Sequence, residues 1–437
     1  MKIDIPFRHA RLAVQAAFFA GFVYLFLSVP YPVAMPYSTL PLSVDPLAAL
    51  GGAVFSRGAW LPALLPVGAF LLAAVLLGRA FCGWACPVGF LNDLVGLVRR
   101  GRDRNRYGYL QFGVPAAVLI LSAFAVDVLA LADPLVIFQR SLYVLWTGTA
   151  VPVVLLLIVL AALAVPRFWC RALCPLGGML GVAGLLSPFG FRASDQCIRC
   201  GKCRRACPMG AIAKDLRWDA TACTKCLECE KACSKGAVSF APAAPQAPRI
   251  SPSRRAFIAG AAALAALFAS ARAASALTGE KALIRPPGSL VEERFNAACA
   301  RCESCVRACP NQVIRPAGPD AGLERFYTPS LDFDKGYCMR CGTCGQVCPT
   351  GAVISLPEEQ IKLGTASIDT TLCLAWNGVR CLVCDEVCPK RAIRGGSGRM
   401  RPRVDGDACI GCGQCQLNCP VEGKAIRVSG AGERRRS

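Results

Sequence analysis

Apolar positions crowd into four long runs in the first 170 residues, over roughly 11–30, 60–78, 110–131 and 148–165. Each approaches the ~20 residues that a helix needs to cross a bilayer. Four in succession predict membrane-spanning helices rather than buried helices of a soluble core. The polar positions between them are uneven. Lys2, Arg8 and Arg11 precede run one, Arg99, Arg100, Arg102, Arg104 and Arg106 follow run two, and Arg167, Arg171 and Arg192 follow run four. The other two connections hold Arg57 and Arg140 as their only basic residues. The positive-inside rule then places the N-terminus, the 80–108 loop and everything just after residue 166 in the cytoplasm.

Beyond residue 190 the pattern changes to short polar segments rich in cysteine. A Pro/Ala-rich linker, "APAAPQAPRISP", reads as extended and domain-separating. A weakly apolar stretch follows, opened by Ser253-Arg254-Arg255-Ala256-Phe257-Ile258 and ending in Ala274-Ser275-Ala276. The hexapeptide resembles a twin-arginine export signal, with Ala259 where lysine is common. The small-residue end has the form of a signal-peptidase site. As a signal or as a fifth helix, this segment carries everything after about residue 277 to the far side.

The predicted architecture is an α-helical membrane bundle of four helices, plus the signal or fifth helix, with small α+β cysteine-rich domains. Its parts are a membrane domain at 1–190, a cytoplasmic cysteine-rich domain at 191–240, the linker at 241–252, the signal or helix at 253–277 and a second cysteine-rich domain at 278–437. The whole chain of 437 residues is 54% hydrophobic with a net charge of +21. Many arginines flank apolar runs and no recognition motif accompanies them, so nucleic-acid binding is not expected. His9 is the single histidine. It excludes a bis-histidine haem within the chain, and the lack of C-x-x-C-H excludes a c-type haem.

The 28 cysteines have regular spacing, unlike a disulfide framework. Twenty-four form six tetrads. Two precede the linker: Cys197, Cys200, Cys203, Cys207 and Cys223, Cys226, Cys229, Cys233. Four follow the signal: Cys299, Cys302, Cys305, Cys309; Cys338, Cys341, Cys344, Cys348; Cys373, Cys381, Cys384, Cys388; and Cys409, Cys412, Cys415, Cys419. C-x2-C-x2-C-x3-C-P is the bacterial ferredoxin run, in which three cysteines hold one [4Fe–4S] cube and the fourth reaches the neighbouring cube. Zinc sites would show paired C-x-x-C motifs or histidines. Six [4Fe–4S] clusters are therefore expected, in small α+β bacterial-type ferredoxin domains: a cytoplasmic two-cluster ferredoxin at 191–240 and a periplasmic four-cluster ferredoxin at 278–437. In the first module one cube takes Cys197, Cys200, Cys203 and Cys233, and the other Cys223, Cys226, Cys229 and Cys207. Ser234 stands where proline is usual. In the second module adjacent and nested pairings of the tetrads both remain open, and the third tetrad is stretched by "LAWNGVR" between Cys373 and Cys381.

The remaining cysteines form two C-x3-C-P pairs, Cys82 with Cys86 and Cys170 with Cys174, at the cytoplasmic ends of runs two and four. Read as helical i, i+4 pairs, each can face one way. Their mirrored placement predicts four converging thiolates that hold a metal or cluster, or act as a thiol redox site beside a quinone pocket.

Residues 1–240 resemble the four-helix membrane ferredoxins of periplasmic nitrate reduction (NapH type), on the paired C-x3-C-P motifs and the two-cluster module. Residues 250–437 resemble the exported four-cluster ferredoxins (NapG type, with the MauM type of methylamine utilisation), on the signal, the four tetrads and the stretched third one. The resemblance implies an inner-membrane protein that draws on the quinone pool, oxidises quinol and delivers electrons to a soluble periplasmic partner, a reductase such as nitrate reductase or a cytochrome. It also implies passage through the twin-arginine machinery. Two rival readings are a copper reductase acting in oxidase maturation and a maturation factor for a periplasmic redox enzyme. A hydrocarbon core of ~30 Å would separate the two cluster groups, too far for direct tunnelling without an intermediate carrier.

Overall fold

The computed structural model describes residues 7–28, 39–55, 64–98, 132–148, 151–242, 282–322, 324–395 and 401–436, with three isolated positions in 262–270. Run three, most of the linker and nearly all of the twin-arginine segment lie outside them, as does the side chain of His9. The chain forms two compact units. One comprises residues 1–27, 40–50 and 61–270; the other comprises 28–39, 51–60 and 271–437.

In the first unit, run one becomes α1 (Phe7–Leu27), whose Ala10–Leu27 stretch is long and apolar enough to cross a membrane. Helix α2 (Pro46–Phe55) follows, of which residues 46–50 belong to this unit. Runs two and four give α3 (Leu64–Leu77) and α7 (Val153–Ala164), of 14 and 12 residues, shorter than a full span. These helices turn large apolar side chains outward, including Phe18, Tyr24, Leu65, Leu72, Leu157 and Leu160. An exposed apolar surface of this kind is uncommon on soluble monomers.

Between α3 and α7 lie α4 (Ala80–Trp84), α5 (Pro87–Val98) and α6 (Pro134–Thr147). Helix α8 (Pro175–Ala183) comes after run four. Helices α2 and α6 both start Asp-Pro-Leu, with proline at the first helical position. Asp45 accepts from the Leu47 amide at 3.0 Å, and Asp133 accepts from those of Leu135 and Val136 at 2.7 and 3.1 Å.

The ferredoxin module sits on a ribbon of β1 (Phe189–Ala193) and β2 (Val238–Pro242), antiparallel with Phe191 opposite Phe240. It is fastened to the helices through a buried ion cluster. Arg167 donates to both oxygens of Asp93 at 2.8 and 2.5 Å. Arg11 pairs with the same carboxylate and, at 2.9 Å, with Glu228 of the module. Burial pushes the Asp93 carboxyl up, but the two arginines prevail and hold it below its usual range. Arg11, Arg167 and Arg171, which the sequence pattern presents as loop charges, are thus buried.

The second unit is built from two-stranded antiparallel ribbons. Strand β3 (Ile314–Pro316) pairs with β4 (Pro329–Leu331), β5 (Thr365–Ile368) with β8 (Ile426–Ser429), and β6 (Ile393–Gly395) with β7 (Pro402–Val404) between them. Each ribbon is too short to be stable alone, and the tetrads lie against them. The C-terminal tail closes the unit. The Arg436 amide donates to Ser289 O at 2.9 Å, and Arg285 and Arg435 grip Glu292. Burial pushes the Glu292 carboxyl up, yet these guanidinium groups bring it down to about 2.

Candidate metal centres

In every tetrad the chain must wind tightly so that its sulfurs face one point. The residue before the second cysteine is left-handed in five of the six: Arg199, Lys225, Arg301, Arg340 and Gly411, with φ of 51–69°. Four of these are not glycine, so the strain is sustained by the surrounding structure. The fourth cysteine begins a further turn. The amides of Ala211, Ala237 and Ala392 donate to Sγ of Cys207, Cys233 and Cys388, each at 3.3 Å. Such bonds favour a thiolate and tune a bound cluster.

The expected exchange of fourth cysteines is visible. In the first module the charged neighbours of Cys229 are Cys223, Cys226 and Cys207, and those of Cys203 are Cys197, Cys233 and Cys200. The second module decides between the two open pairings. Cys299 and Cys305 face Cys348 of the second tetrad. A small cavity is lined by Cys309 together with Cys338, Cys341 and Cys344. Another is lined by Cys388 together with Cys409, Cys412 and Cys415. Adjacent tetrads therefore exchange, first with second and third with fourth. By the same exchange Cys419 completes the site of Cys373, Cys381 and Cys384; Cys373, Cys384 and Cys419 belong to one core with Cys409 and Cys415.

The C-x3-C-P pairs do converge, by a different local geometry than expected. Neither is a continuous i, i+4 helix. Cys82 lies in α4 and Cys86 just before α5; Cys170 lies in a π-turn, Trp169–Leu173, and Cys174 caps α8. Proline at 87 and 175 forbids the helix to run through, because the residue before proline avoids the α region. Cys174, with ψ of 113°, instead accepts the Gly177 amide on its Sγ at 3.2 Å. Cys86 is bonded in the same way by the amides of Gly89 and Val88. A helix N-terminus is a favourable place for a thiolate.

All four thiols are buried. Cys86 and Cys174 each feel both Cys82 and Cys170. Two arginines face them: Arg79, fully buried, donates to Cys170 O at 2.6 Å and Thr221 O at 3.1 Å, and the charge of Arg167 reaches Cys170. Gly177 makes room for Arg79, since a Cβ there would collide with its Nη2. Cys170 also shares a hydrophobic core with Cys203, Cys223 and Cys229, so the centre abuts the ferredoxin module directly. Trp84 Nε1 donates to Lys225 O at 3.1 Å, and Arg171 Nη2 donates to Pro208 O at 2.6 Å, across the same seam.

These sites fit iron–sulfur clusters. Burial first, and the neighbouring sulfurs with it, pushes the thiols up, to about 12 for Cys223, Cys299, Cys338 and Cys415. Without iron such thiols stay neutral; bound iron supplies the charge that makes thiolate the stable form. Among the described residues no three His, Cys, Asp or Glu side chains lie close enough for a single metal ion. A cube keeps its thiolates farther apart than one ion does, so this spacing is compatible with clusters.

Comparison with known proteins agrees. A family model described as a 4Fe-4S binding domain matches residues 59–105 and again 147–193, one C-x3-C-P pair in each. A second 4Fe-4S binding domain matches 194–213, and a 4Fe-4S dicluster domain matches 298–352. The last covers the first adjacent pair of tetrads. The methylamine utilization ferredoxin-type protein MauM of Methylorubrum extorquens is 37% identical over 199 residues, 41% of this chain and 89% of that protein. The ferredoxin-type protein NapG of Escherichia coli is 37% identical over 161 residues, 33% of this chain and 69% of NapG. MauM of Paracoccus denitrificans is 35% identical over 164 residues, with 70% of its length covered. The chain belongs to the NapG/MauM family of ferredoxin-type proteins. As a member of that family it carries multiple [4Fe–4S] domains for electron transport.

For this NapG/MauM-type chain, sequence reasoning missed Arg79 and the buried roles of Arg167 and Arg171. The available signal was position. Arg79 interrupts the end of an apolar run three residues before Cys82, and Arg167 and Arg171 flank Cys170.

Proposed function

We propose that this protein is a membrane-anchored electron conduit that oxidises quinol and delivers electrons to a soluble periplasmic redox partner such as a reductase. In this reading the chain carries seven [4Fe–4S] clusters: six in the tetrads and one held by Cys82, Cys86, Cys170 and Cys174. The observation that carries the reading is the seam just described. Of four buried thiols at the ends of apolar helices, Cys170 shares a core with Cys203, Cys223 and Cys229 of a two-cluster ferredoxin, and Trp169 packs both against that core and against those of Cys82, Cys174 and Cys86. The clusters supply one-electron storage when bound. The protein's own residues do the rest. Arg79 and Arg167 offset the charge of the thiolates, helix starts at Pro87 and Pro175 stabilise Cys86 and Cys174, and the Asp93 ion cluster holds the ferredoxin against the centre. The outward apolar faces of α1, α3 and α7 suit a bilayer, and the twin-arginine motif suits export of the four-cluster domain with its clusters already inserted.

The test is reduction by a quinol analogue of full-length protein in detergent, followed by the cluster spectra. Parent protein should be reduced. Cys82→Ser/Cys174→Ser should lose quinol-linked reduction while dithionite still reduces the tetrad clusters. Quinol-linked reduction retained in that variant would overturn the reading. Reporters active only in the cytoplasm, fused after Phe240 and after Gly279, should work at the first point and fail at the second.

A further inference from the structure

The four tetrads of the second unit form an ordered line. Exchange makes two pairs of cubes, and the contact between the pairs runs through particular residues. The Cys338 amide donates to Cys412 O at 2.9 Å, Gln416 Nε2 donates to Asp334 at 2.8 Å, and a Cβ at Gly413 would collide with the Phe333 ring. The second and fourth sites are thus neighbours. Following these contacts, the order is first, second, fourth, third, and the stretched tetrad stands at one end.

That end is also the more open of the two, since Cys299 and Cys302 at the other end are buried. Every cysteine of the fourth tetrad is buried, whereas none of Cys373, Cys381, Cys384 and Cys388 is. The inserted loop makes the difference. It is pinned by Trp376, whose Nε1 donates to Pro402 O at 3.2 Å and whose ring lies 5.2 Å from the Arg401 guanidinium. Beyond this anchor the loop projects Val379, 53% exposed, with Leu372, 46% exposed, beside Cys373. Gly395 of β6 packs against Leu382, so the β6–β7 ribbon borders the same loop. Its exposed positions are basic: Arg394 and Arg403 face each other in register, Arg401 directly precedes the second strand, and Arg380 ends the inserted loop, all four exposed. None of these four forms an ion pair among the described residues. From 369 to 404 the sequence holds seven basic and three acidic residues.

We propose that this face is where electrons leave the protein, and that it receives a soluble redox protein whose cofactor edge is ringed by acidic side chains. The proposal rests on the electron-conduit reading and adds to it the docking surface and the charge of the partner. An apolar spot ringed by charge, directly over a terminal cluster, is suited to brief association: the charge steers and the apolar centre makes the contact.

The experiment uses cytochrome c and its succinylated form, one haem protein with a basic or an acidic surface. Full-length protein is reduced chemically, freed of reductant and mixed with each at low and high salt. This needs no quinol, so its result is independent of the quinol reading. Parent protein should favour the succinylated form relative to the basic form by about tenfold at low salt, and high salt should remove the preference. Arg380→Glu/Arg394→Glu should abolish or reverse the preference with its iron content unchanged. A control, Arg204→Glu/Arg205→Glu in the other ferredoxin module, should keep it. A parent without preference, or a preference that survives in Arg380→Glu/Arg394→Glu, would overturn the proposal.

Discussion

The four-thiol centre and the stretched tetrad are both cysteine sites that end in Cys-Pro, yet their surroundings are opposite. Cys82, Cys86, Cys170 and Cys174 sit at helix ends, out of water, against two buried guanidinium groups. Cys373, Cys381 and Cys388 sit in loops and Cys384 in a one-turn helix, all half-buried, with arginines outside rather than beneath. Thiolate charge in a dry site needs fixed compensation from the protein, while water serves that purpose in a wet one. The contrast divides the labour of the proposed conduit: the dry centre suits internal transfer, and the wet one suits exchange with a partner.

Substitutions can sharpen or break this contrast. Arg167→Ala should have the largest effect, because it leaves the buried Asp93 with Arg11 as its one remaining guanidinium partner; about 3–5 kcal/mol of stability should go. Thermal unfolding in detergent would record it as a lower melting temperature of the first unit. Arg79→Gln should follow at about 2–3 kcal/mol, since the carbonyls of Cys170 and Thr221 lose buried donors. Its iron content should also fall. At the exposed site Trp376→Ala should cost about 1–2 kcal/mol, chiefly through the lost anchor to Pro402. Arg401→Gln should be smallest, at about 0.5–1 kcal/mol, the worth of an exposed cation–π contact. Equal losses in Arg79→Gln and Arg401→Gln would erase the distinction between the two sites.

The sequence makes some of this legible and hides the rest for physical reasons. Tetrad spacing is local, so the exchange of Cys207 and Cys233 could be read directly and is present. The pairing of the four later tetrads depends on how distant ribbons pack, and spacing leaves it open; the cavities containing Cys309 and Cys388 decide it. Convergence of Cys82 and Cys86 with Cys170 and Cys174 was suggested by mirrored motifs. Their helical i, i+4 geometry was not right, because Pro87 and Pro175 outweigh the apolar pattern around them. Arg167 shows a further limit: a charge beside an apolar run looks the same whether it meets water or a buried Asp93. The topology inferred from the arginines and from Ser253–Ile258 belongs to the proposed function.

The account turns on whether the four-thiol centre holds a cluster of its own. Iron and acid-labile sulfide, measured per chain on anaerobically purified full-length protein, test this directly. Seven clusters predict about 28 irons in the parent and about 24 in Cys82→Ser/Cys174→Ser. About 24 in both would contradict it, leaving those four cysteines as packing residues at the seam.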